Sequence, residues 1–242
     1  MNLIIDQGNT KSKIAFFKDC ELLKVEEALT LSEEEIDKVV GETKISNCIL
    51  ASVKVVPERL LDFLRKRFSC FVFLTHTTPL PIRIGYKTPH TLGMDRVAAV
   101  TGASFEKSGE PLIVIDAGTA VTYDFMDEHR TFKGGNIAPG LNMRLLALHR
   151  FTDKLPLISP TGETPEIGFN TETAIRSGAV LGICYEIEGF ISQIKREYPS
   201  VLVFLTGGDS FFLAEKIKYP IFVDKNLVLK GLNRILNYNV EK

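Results

Sequence analysis
Unbroken apolar runs punctuate the chain: Leu3-Ile4-Ile5, Ile14-Ala15-Phe16-Phe17, Cys48-Ile49-Leu50-Ala51, Phe71-Val72-Phe73-Leu74, Leu112-Ile113-Val114-Ile115 and Val201-Leu202-Val203-Phe204-Leu205. Each is too short for a helix and gives way to polar or turn-forming residues, the pattern of strands buried on both faces. Leu22–Val25 predicts a third strand after the first two, and Ile221–Val223 a short last one. Elsewhere apolar positions recur with the helical period. That predicts helices from Pro57 to about Arg67, from about Leu92 to Phe105 with Thr91 as a cap, and through Leu145 and Leu148. A long helix from about Asn170 to Glu197 aligns Ile175, Ala179, Ile183, Ile187 and Ile194, and a final one carries Leu229, Leu232 and Leu236. Thr30–Glu35 reads as a further helix start, its acids set near the positive end of the helix dipole. Three strands followed by strands alternating with helices predict an α/β fold, a mixed sheet with helices on both faces.

Two irregular stretches interrupt this order, one marked by Pro79, Pro81, Gly85 and Pro89, the other running from Leu155 to Gly168. Loops of that length inside a domain are often functional. Ser108-Gly109-Glu110-Pro111 is the natural boundary, dividing the chain into 1–110 and 111–242.

The chemistry concentrates where apolar strands end. Leu3-Ile4-Ile5 stops on Asp6, passes Gln7-Gly8-Asn9-Thr10 and returns through Ile14–Phe17, a hairpin whose tip offers an acid, a hydroxyl and backbone N–H groups. Glycine lets such N–H groups approach an anion without a Cβ in the way, and Lys11 and Lys13 add positive charge. A plain β-turn would have the same residues. The chain, however, repeats the pattern: Leu112–Ile115 stops on Asp116, turns through Ala117-Gly118-Thr119 and returns through Val121–Phe125. Asp6 matches Asp116 and Gly8 matches Gly118, which indicates an internal duplication of two similar α/β halves. Two such loops facing one cleft suit a polyphosphate and its Mg²⁺, with amides for oxygens and carboxylates for metal.

A third segment, Tyr86-Lys87-Thr88-Pro89-His90-Thr91-Leu92-Gly93-Met94-Asp95-Arg96, follows the proline-marked loop. Two readings of Asp95 are open: a general base held by its neighbours, or an acid favourably placed in the first turn of a helix with Arg96 as an ordinary ion-pair partner. His90 reads as an exposed loop residue. Val97, Ala98, Val100 and Ala103 make the following helix apolar around much of its circumference. Its small residues Ala98, Ala99 and Ala103 would admit a twofold-related helix at close range, or the helix packs within its own chain.

Composition narrows the function classes. A net charge of −1 gives no general attraction to nucleic acid or anionic membrane. Cys20, Cys48, Cys70 and Cys184 lack C-x-x-C spacing, so neither a zinc site nor a disulfide framework is implied, and they read as small apolar residues in a reducing compartment. Asp6 cuts the first apolar run short, which argues against a signal peptide, and no run is long enough to span a bilayer. A cytoplasmic protein is expected.

In their order these blocks resemble the type III pantothenate kinase family, of the actin-like acetate/sugar kinase and heat-shock chaperone superfamily. The resemblance rests on Asp6-Gln7-Gly8-Asn9-Thr10; on Tyr86, Pro89 and Gly93-Met94-Asp95-Arg96; and on Asp116-Ala117-Gly118-Thr119-Ala120. Gly134-Gly135-Asn136-Ile137-Ala138-Pro139-Gly140, Leu155-Pro156, Gly168-Phe169-Asn170-Thr171 and Thr206-Gly207-Gly208 extend it along nearly the whole chain. Gln7 stands where the family usually has an apolar residue and Met94 where it often has Ala, positions that supply no chemistry.

The resemblance implies duplicated actin-like (ribonuclease H-like) halves, each a mixed sheet flanked by helices, with a cleft between them. Residues 1–110 would carry the first phosphate loop and the catalytic segment, and 111–242 the second phosphate loop and an adenosine-side turn at Thr206–Gly208. It implies ATP-dependent phosphorylation of pantothenate to 4'-phosphopantothenate, the first step of coenzyme A biosynthesis. Asp95 would accept the proton of the substrate hydroxyl. Asp6, Gln7, Gly8, Asn9, Thr10, Lys11, Ser12, Lys13 and Thr119 would contact ATP, with Mg²⁺ near Asp6. Asp116 would hold an activating K⁺ or NH₄⁺. Tyr86, Gly93, Met94, Asp95, Arg96 and Thr171 would contact pantothenate, partly across a homodimer interface, although Thr171 at a helix start would equally serve as a cap. The expected partners are therefore pantothenate, ATP and a second copy of the chain, with no nucleic acid and no membrane. Another small-molecule kinase of the superfamily is disfavoured by the Tyr86–Arg96 block, and a non-catalytic regulator by the intact Asp6, Asp95 and Asp116. A filament-forming relative would need inserted subdomains that this length does not accommodate.

Overall fold
The computed structural model describes residues 1–241. The chain opens with β1 (Asn2–Gln7), β2 (Ser12–Lys18), β3 (Glu21–Ala28), α1 (Glu33–Val40), β4 (Asn47–Ser52), α2 (Glu58–Arg67) and β5 (Cys70–Phe73). It continues with β6 (Arg83–Ile84), α3 (Met94–Glu106), β7 (Leu112–Ala117), β8 (Ala120–Met126) and β9 (Thr131–Pro139). Then come α4 (Leu141–Arg150), α5 (Thr171–Lys195), β10 (Leu202–Thr206), α6 (Ser210–Ala214), β11 (Phe222–Val223) and α7 (Leu227–Val240). No described helix is long and apolar enough to cross a membrane.

Internal contacts divide the chain into two units. The first comprises Met1–Gly109, Met126–Gly134 and the chain from Asn226 onward; the second comprises Glu110–Phe125 and Gly135–Lys225. In the first, the strand order is β3-β2-β1-β4-β5. β1 runs antiparallel to β2 and parallel to β4, β2 antiparallel to β3, and β4 parallel to β5. The second unit repeats that order as β9-β8-β7-β10-β11, with β10 parallel to both β7 and β11. In chain order within each half the pattern is 3-2-1-4-5 twice over. The duplication expected from Asp6 and Asp116 is thus written into the topology, each acid closing the central strand of its sheet.

Alternation sorts the side chains of the first sheet. Leu3, Ile5, Ile14, Phe16, Cys48 and Leu50 form one buried layer with Ile36 and Val40 of α1 and Leu60, Leu61 and Leu64 of α2. The opposite face receives α7, which packs on β1, β4 and β5. Strands sandwiched in this way bury both faces, which is why they read as continuous apolar runs. An amide ladder fixes α7 at this position. Asn2 Nδ2 donates to Asn233 Oδ1 at 2.8 Å and to Asn237 Oδ1 at 2.7 Å, Asn47 donates to Asn2 at 2.9 Å, and Asn233 donates to the Asp19 carbonyl at 2.7 Å. In the second unit, Ile113, Ile115, Tyr123, Val203 and Leu205 pack with Leu145 of α4 and Ile183 and Ile187 of α5.

Helix α3 lies against α7, and every residue from Arg96 to Ser104 is buried. The two helices meet backbone to backbone. A Cβ on Gly102 would stand 2.4 Å from the Leu227 carbonyl oxygen, and one on Gly231 only 1.8 Å from that of Ala98. The small-residue helix is therefore occupied by a helix of its own chain, and its composition no longer argues for a second copy. Thr91 is not its cap, because the Thr91 hydroxyl donates to the Thr88 carbonyl at 2.9 Å and Gly93 takes the capping position. A side chain at position 231 would push two backbones apart, and overpacking of a tight core ordinarily costs about 1–3 kcal/mol. Gly231→Ala should accordingly lower stability by about 3 kcal/mol in chemical denaturation, whereas a loss below about 0.5 kcal/mol would show that the crossing relaxes freely.

Candidate active site
At the carboxyl end of β1, Asp6 pairs across the hairpin with Lys13, and Gln7 with Ser12. The Gly8 N–H donates to the Lys11 carbonyl at 3.1 Å, closing the turn and leaving Asn9, Thr10 and Lys11 exposed. The Gln7 side chain is engaged elsewhere: its Oε1 accepts from the Ser52 hydroxyl at 2.7 Å, and its carbonyl accepts from the Val53 N–H at 3.1 Å. That ties the hairpin to the end of β4. Lys11 reaches Glu27 on β3 at 2.6 Å, an exposed pair worth at most about 1 kcal/mol and easily exchanged for another anion.

The Tyr86–Arg96 segment runs through a 3-10 turn at Pro89–Thr91 and enters α3 at Met94. Asp95 Oδ1 accepts from the Arg96 N–H at 2.9 Å, so its charge sits at the positive end of the helix. Glycine at position 93 makes room for it, since a side chain there would stand 2.5 Å from Asp95 Oδ1. Burial raises the pKa of Asp6 to about 6; Lys13 draws it down and Asp95 pushes it further up. The last effect shows that Asp6 and Asp95, 89 positions apart in sequence, lie within each other's field. Two like charges so placed favour a shared cation or proton.

Arg96 is buried, and its guanidinium lies 5.9 Å from the ring centre of Tyr86 and 5.8 Å from that of Phe132. The two rings meet edge to face at 6.1 Å. The acid, the arginine and the tyrosine that sequence singled out are thus gathered within the first unit.

In the second unit, the β7–β8 turn is closed by the Gly118 N–H donating to the Ala120 carbonyl at 3.0 Å, with Thr119 exposed at its tip. Gly140 covers this turn, its N–H donating to Thr119 at 3.1 Å, and a side chain there would stand 2.1 Å from the Gly118 carbonyl oxygen. Gly207 has φ +95°, and a side chain on it would meet Asp116 Oδ1 at 2.5 Å and the Ala117 carbonyl oxygen at 2.3 Å. The Gly207 backbone thus lies close to the Asp116 carboxylate, which is a hard oxygen donor of the kind alkali and alkaline-earth cations take. Asp209 lies against the same strand end, its N–H on the Ala117 carbonyl at 3.0 Å, and burial raises its carboxyl pKa.

Gly134–Gly140, expected as a block after the hairpin, forms most of β9 and the cap of α4. A side chain on Gly135 would overlap the Tyr123 carbonyl oxygen at 1.9 Å, so only glycine lets this strand lie close. Thr171 is exposed at the first residue of α5 and does not cap it. Asn170 Oδ1 accepts from the Thr173 N–H at 2.8 Å, and the Thr173 hydroxyl accepts in return from the Asn170 N–H at 3.1 Å. Arg176, one turn on, holds the preceding loop by donating to the Ser159 carbonyl at 3.0 Å and by pairing with Glu172.

Sequence reasoning overlooked Asp209 and Phe132. The first had a signal, an acid two residues beyond Gly207 at the end of an apolar run. The second had none, because residues 131–139 do not alternate. Among the described residues no group of three or more His, Cys, Asp or Glu side chains converges as a metal site. Single carboxylates are what a Mg²⁺ carried in on phosphate oxygens requires.

The model of a family described as type III pantothenate kinase matches residues 2–193. Over 239 residues the chain is 47% identical to the type III pantothenate kinase of Phocaeicola vulgatus, with 99% of both chains covered. It is 48% identical over 239 residues to that of Bacteroides fragilis, covering 99% of this chain and 98% of the relative. Among solved structures, a glucokinase from an Antarctic psychrotroph superposes with a TM-score of 0.53 at 11% identity, over 98% of each chain. That likeness concerns the fold alone, which is the duplicated fold of the actin-like kinases. A family match over most of the length and full-length identity near one half settle the membership: this chain belongs to the type III pantothenate kinase family.

Proposed function
We propose that the protein transfers the γ-phosphoryl group of ATP to the primary hydroxyl of pantothenate, forming 4'-phosphopantothenate at the head of coenzyme A biosynthesis. The observation that carries this reading is membership of this family together with Asp95 at the start of α3, its carboxylate accepting the Arg96 N–H at 2.9 Å. Phosphoryl transfer asks for alignment and charge neutralisation more than for covalent help from the protein. Asp95, held at the helix start by the Arg96 N–H, accepts the hydroxyl proton as the oxygen attacks. Arg96 offers a planar fork of donors that matches the pantothenate carboxylate. Tyr86, Gly93 and Met94 line the same approach, and Thr171 contributes its exposed hydroxyl.

The turn from Asp6 to Lys13 receives the phosphates, with backbone N–H groups at Gly8, Asn9 and Thr10 and the charges of Lys11 and Lys13; Thr119 serves the nucleotide likewise. The field between Asp6 and Asp95 fits a divalent cation at Asp6, and the backbone-lined carboxylate of Asp116 fits K⁺ or NH₄⁺. When bound, these cations neutralise charge developing on the transferred group.

Apolar side chains left in water support the homodimer. Phe151 is 83% exposed, Ile167 86% and Phe169 68%, and Met143 and Leu146 of α4 are exposed beside them in sequence. Monomers rarely leave so many large apolar groups uncovered in neighbouring segments, and Phe169 lies two residues before Thr171.

A coupled assay of ADP release with pantothenate as acceptor tests the activity directly; no pantothenate-dependent turnover would overturn it. Asp95→Asn should keep fold and ATP binding while lowering turnover about 10²–10⁴-fold, the usual worth of a general base, and near-normal turnover would remove that role. Activity should depend on K⁺ or NH₄⁺, and Asp116→Ala should abolish the dependence with most of the activity; equal rates in Na⁺ and K⁺ buffers would count against it. Light scattering at low micromolar concentration should give a dimer that Leu146→Glu with Phe151→Glu converts to monomer, whereas a monomeric, fully active wild type would refute the interface.

A further inference from the structure
Arg96 faces an aromatic ring from outside its own segment. Phe132 on β9, fully buried, lies 36 positions beyond Arg96 and belongs to none of the blocks that mark the family. Its ring touches both members of the substrate-side pair, Tyr86 at 6.1 Å edge to face and the Arg96 guanidinium at 5.8 Å. Its backbone holds the same segment, because the Gly85 N–H donates to the Phe132 carbonyl at 2.9 Å where β6 pairs with β9. Gly134, two residues further, has φ +135° and lies under the Tyr86 ring, which a Cβ there would meet at 3.5 Å. One short length of strand therefore seats Tyr86 and Arg96 together.

We infer that Phe132 is a specificity-determining positioning residue, aiming the Arg96 guanidinium at the carboxylate of the acceptor substrate. This rests on the reading above that pantothenate is the acceptor and that Arg96 receives its carboxylate. The physical argument is rotational. An arginine side chain has several free torsions, and in solution its fork samples many directions. Two rings whose planes are inclined at 66° to each other narrow that range, by contacts that favour a cation over the π-face. Burial strengthens those contacts, because water no longer competes for the guanidinium. A leucine at position 132 would fill the core nearly as well and supply no such face.

The test compares two acceptors on the full-length enzyme, pantothenate and pantothenyl alcohol, in which a hydroxymethyl group replaces the carboxylate. Phe132→Leu should raise KM for pantothenate about 3- to 30-fold, as expected for the loss of one buried cation–π contact. KM for ATP and kcat should stay within about twofold, and the preference for pantothenate over its alcohol should fall by the same factor as KM rises. In an Arg96→Met background the Phe132→Leu change should add little, since the cation it positions is already gone. If the leucine variant does not purify folded, Phe132→Met serves in the same comparison. An active wild type whose preference between the two acceptors is unchanged by the substitution would overturn the role of Phe132 and leave the kinase standing. A wild type that phosphorylates neither acceptor would overturn the underlying assignment.

Discussion

The contact on which the rest of the first unit depends has no side chains in it. At Gly102 and Gly231, α3 and α7 cross with their backbones touching, closer than any Cβ would permit. α7 in turn is pinned to the sheet that contains Asp6, by apolar packing and by the amide ladder from Asn2 to Asn233 and Asn237. The position of Asp95 relative to Asp6 is thus fixed by a stack of strand, helix and helix in which each layer has one seat. Close-packed interiors transmit displacement instead of absorbing it. The Asp95 carboxylate is placed by residues that carry no reactive group at all.

That burial gives the site its electrostatic character. Asp6 is held out of water at the end of β1 and keeps its proton more tightly for that reason first, with Asp95 adding to the effect and Lys13 opposing it. Positive charge brought beside it would favour the ionised form. In the second unit the matching strand end has a different neighbourhood: the Gly207 backbone comes close to the Asp116 carboxylate, and Asp209 lies against the same end.

How much of this the sequence discloses depends on where the information lies. Both hairpins were legible, because an apolar run stopping on Asp-x-Gly announces strand, turn and acid together. The strands of the first sheet were legible because burial on both faces leaves no polar alternation to mislead. β9 was not, since Gly134, Gly135, Asn136 and Pro139 have the composition of a loop. Those glycines instead permit a close strand, and the aromatic ring behind Arg96 was hidden with it. Helix α3 was recognised as apolar, but periodicity names the buried face and not the occupant, and α7 proved to be what fills it. The caps failed at Thr91 and Thr171 for local reasons: the Thr91 hydroxyl turns back onto the Thr88 carbonyl and the cap of α3 is Gly93, two residues later, while Asn170 caps α5 one residue before Thr171. The α6 helix is five residues long, too short to show a period.

The threading of the chain has a consequence for how it is made. The second unit is drawn from residues that emerge almost consecutively, Glu110–Phe125 and Gly135–Lys225, while the first also needs the chain from Asn226 onward. A ribosome releases residues in order, and domains begin to fold as soon as their parts are available. The portion synthesised first is therefore the portion finished last, its sheet waiting with one apolar face open until α7 clears the exit. A chain cut anywhere between Asp95 and Leu227 keeps both Asp6 and Asp95 but lacks α7, the surface against which they are aligned. The alignment of these two acids thus waits on a helix made more than a hundred residues after them.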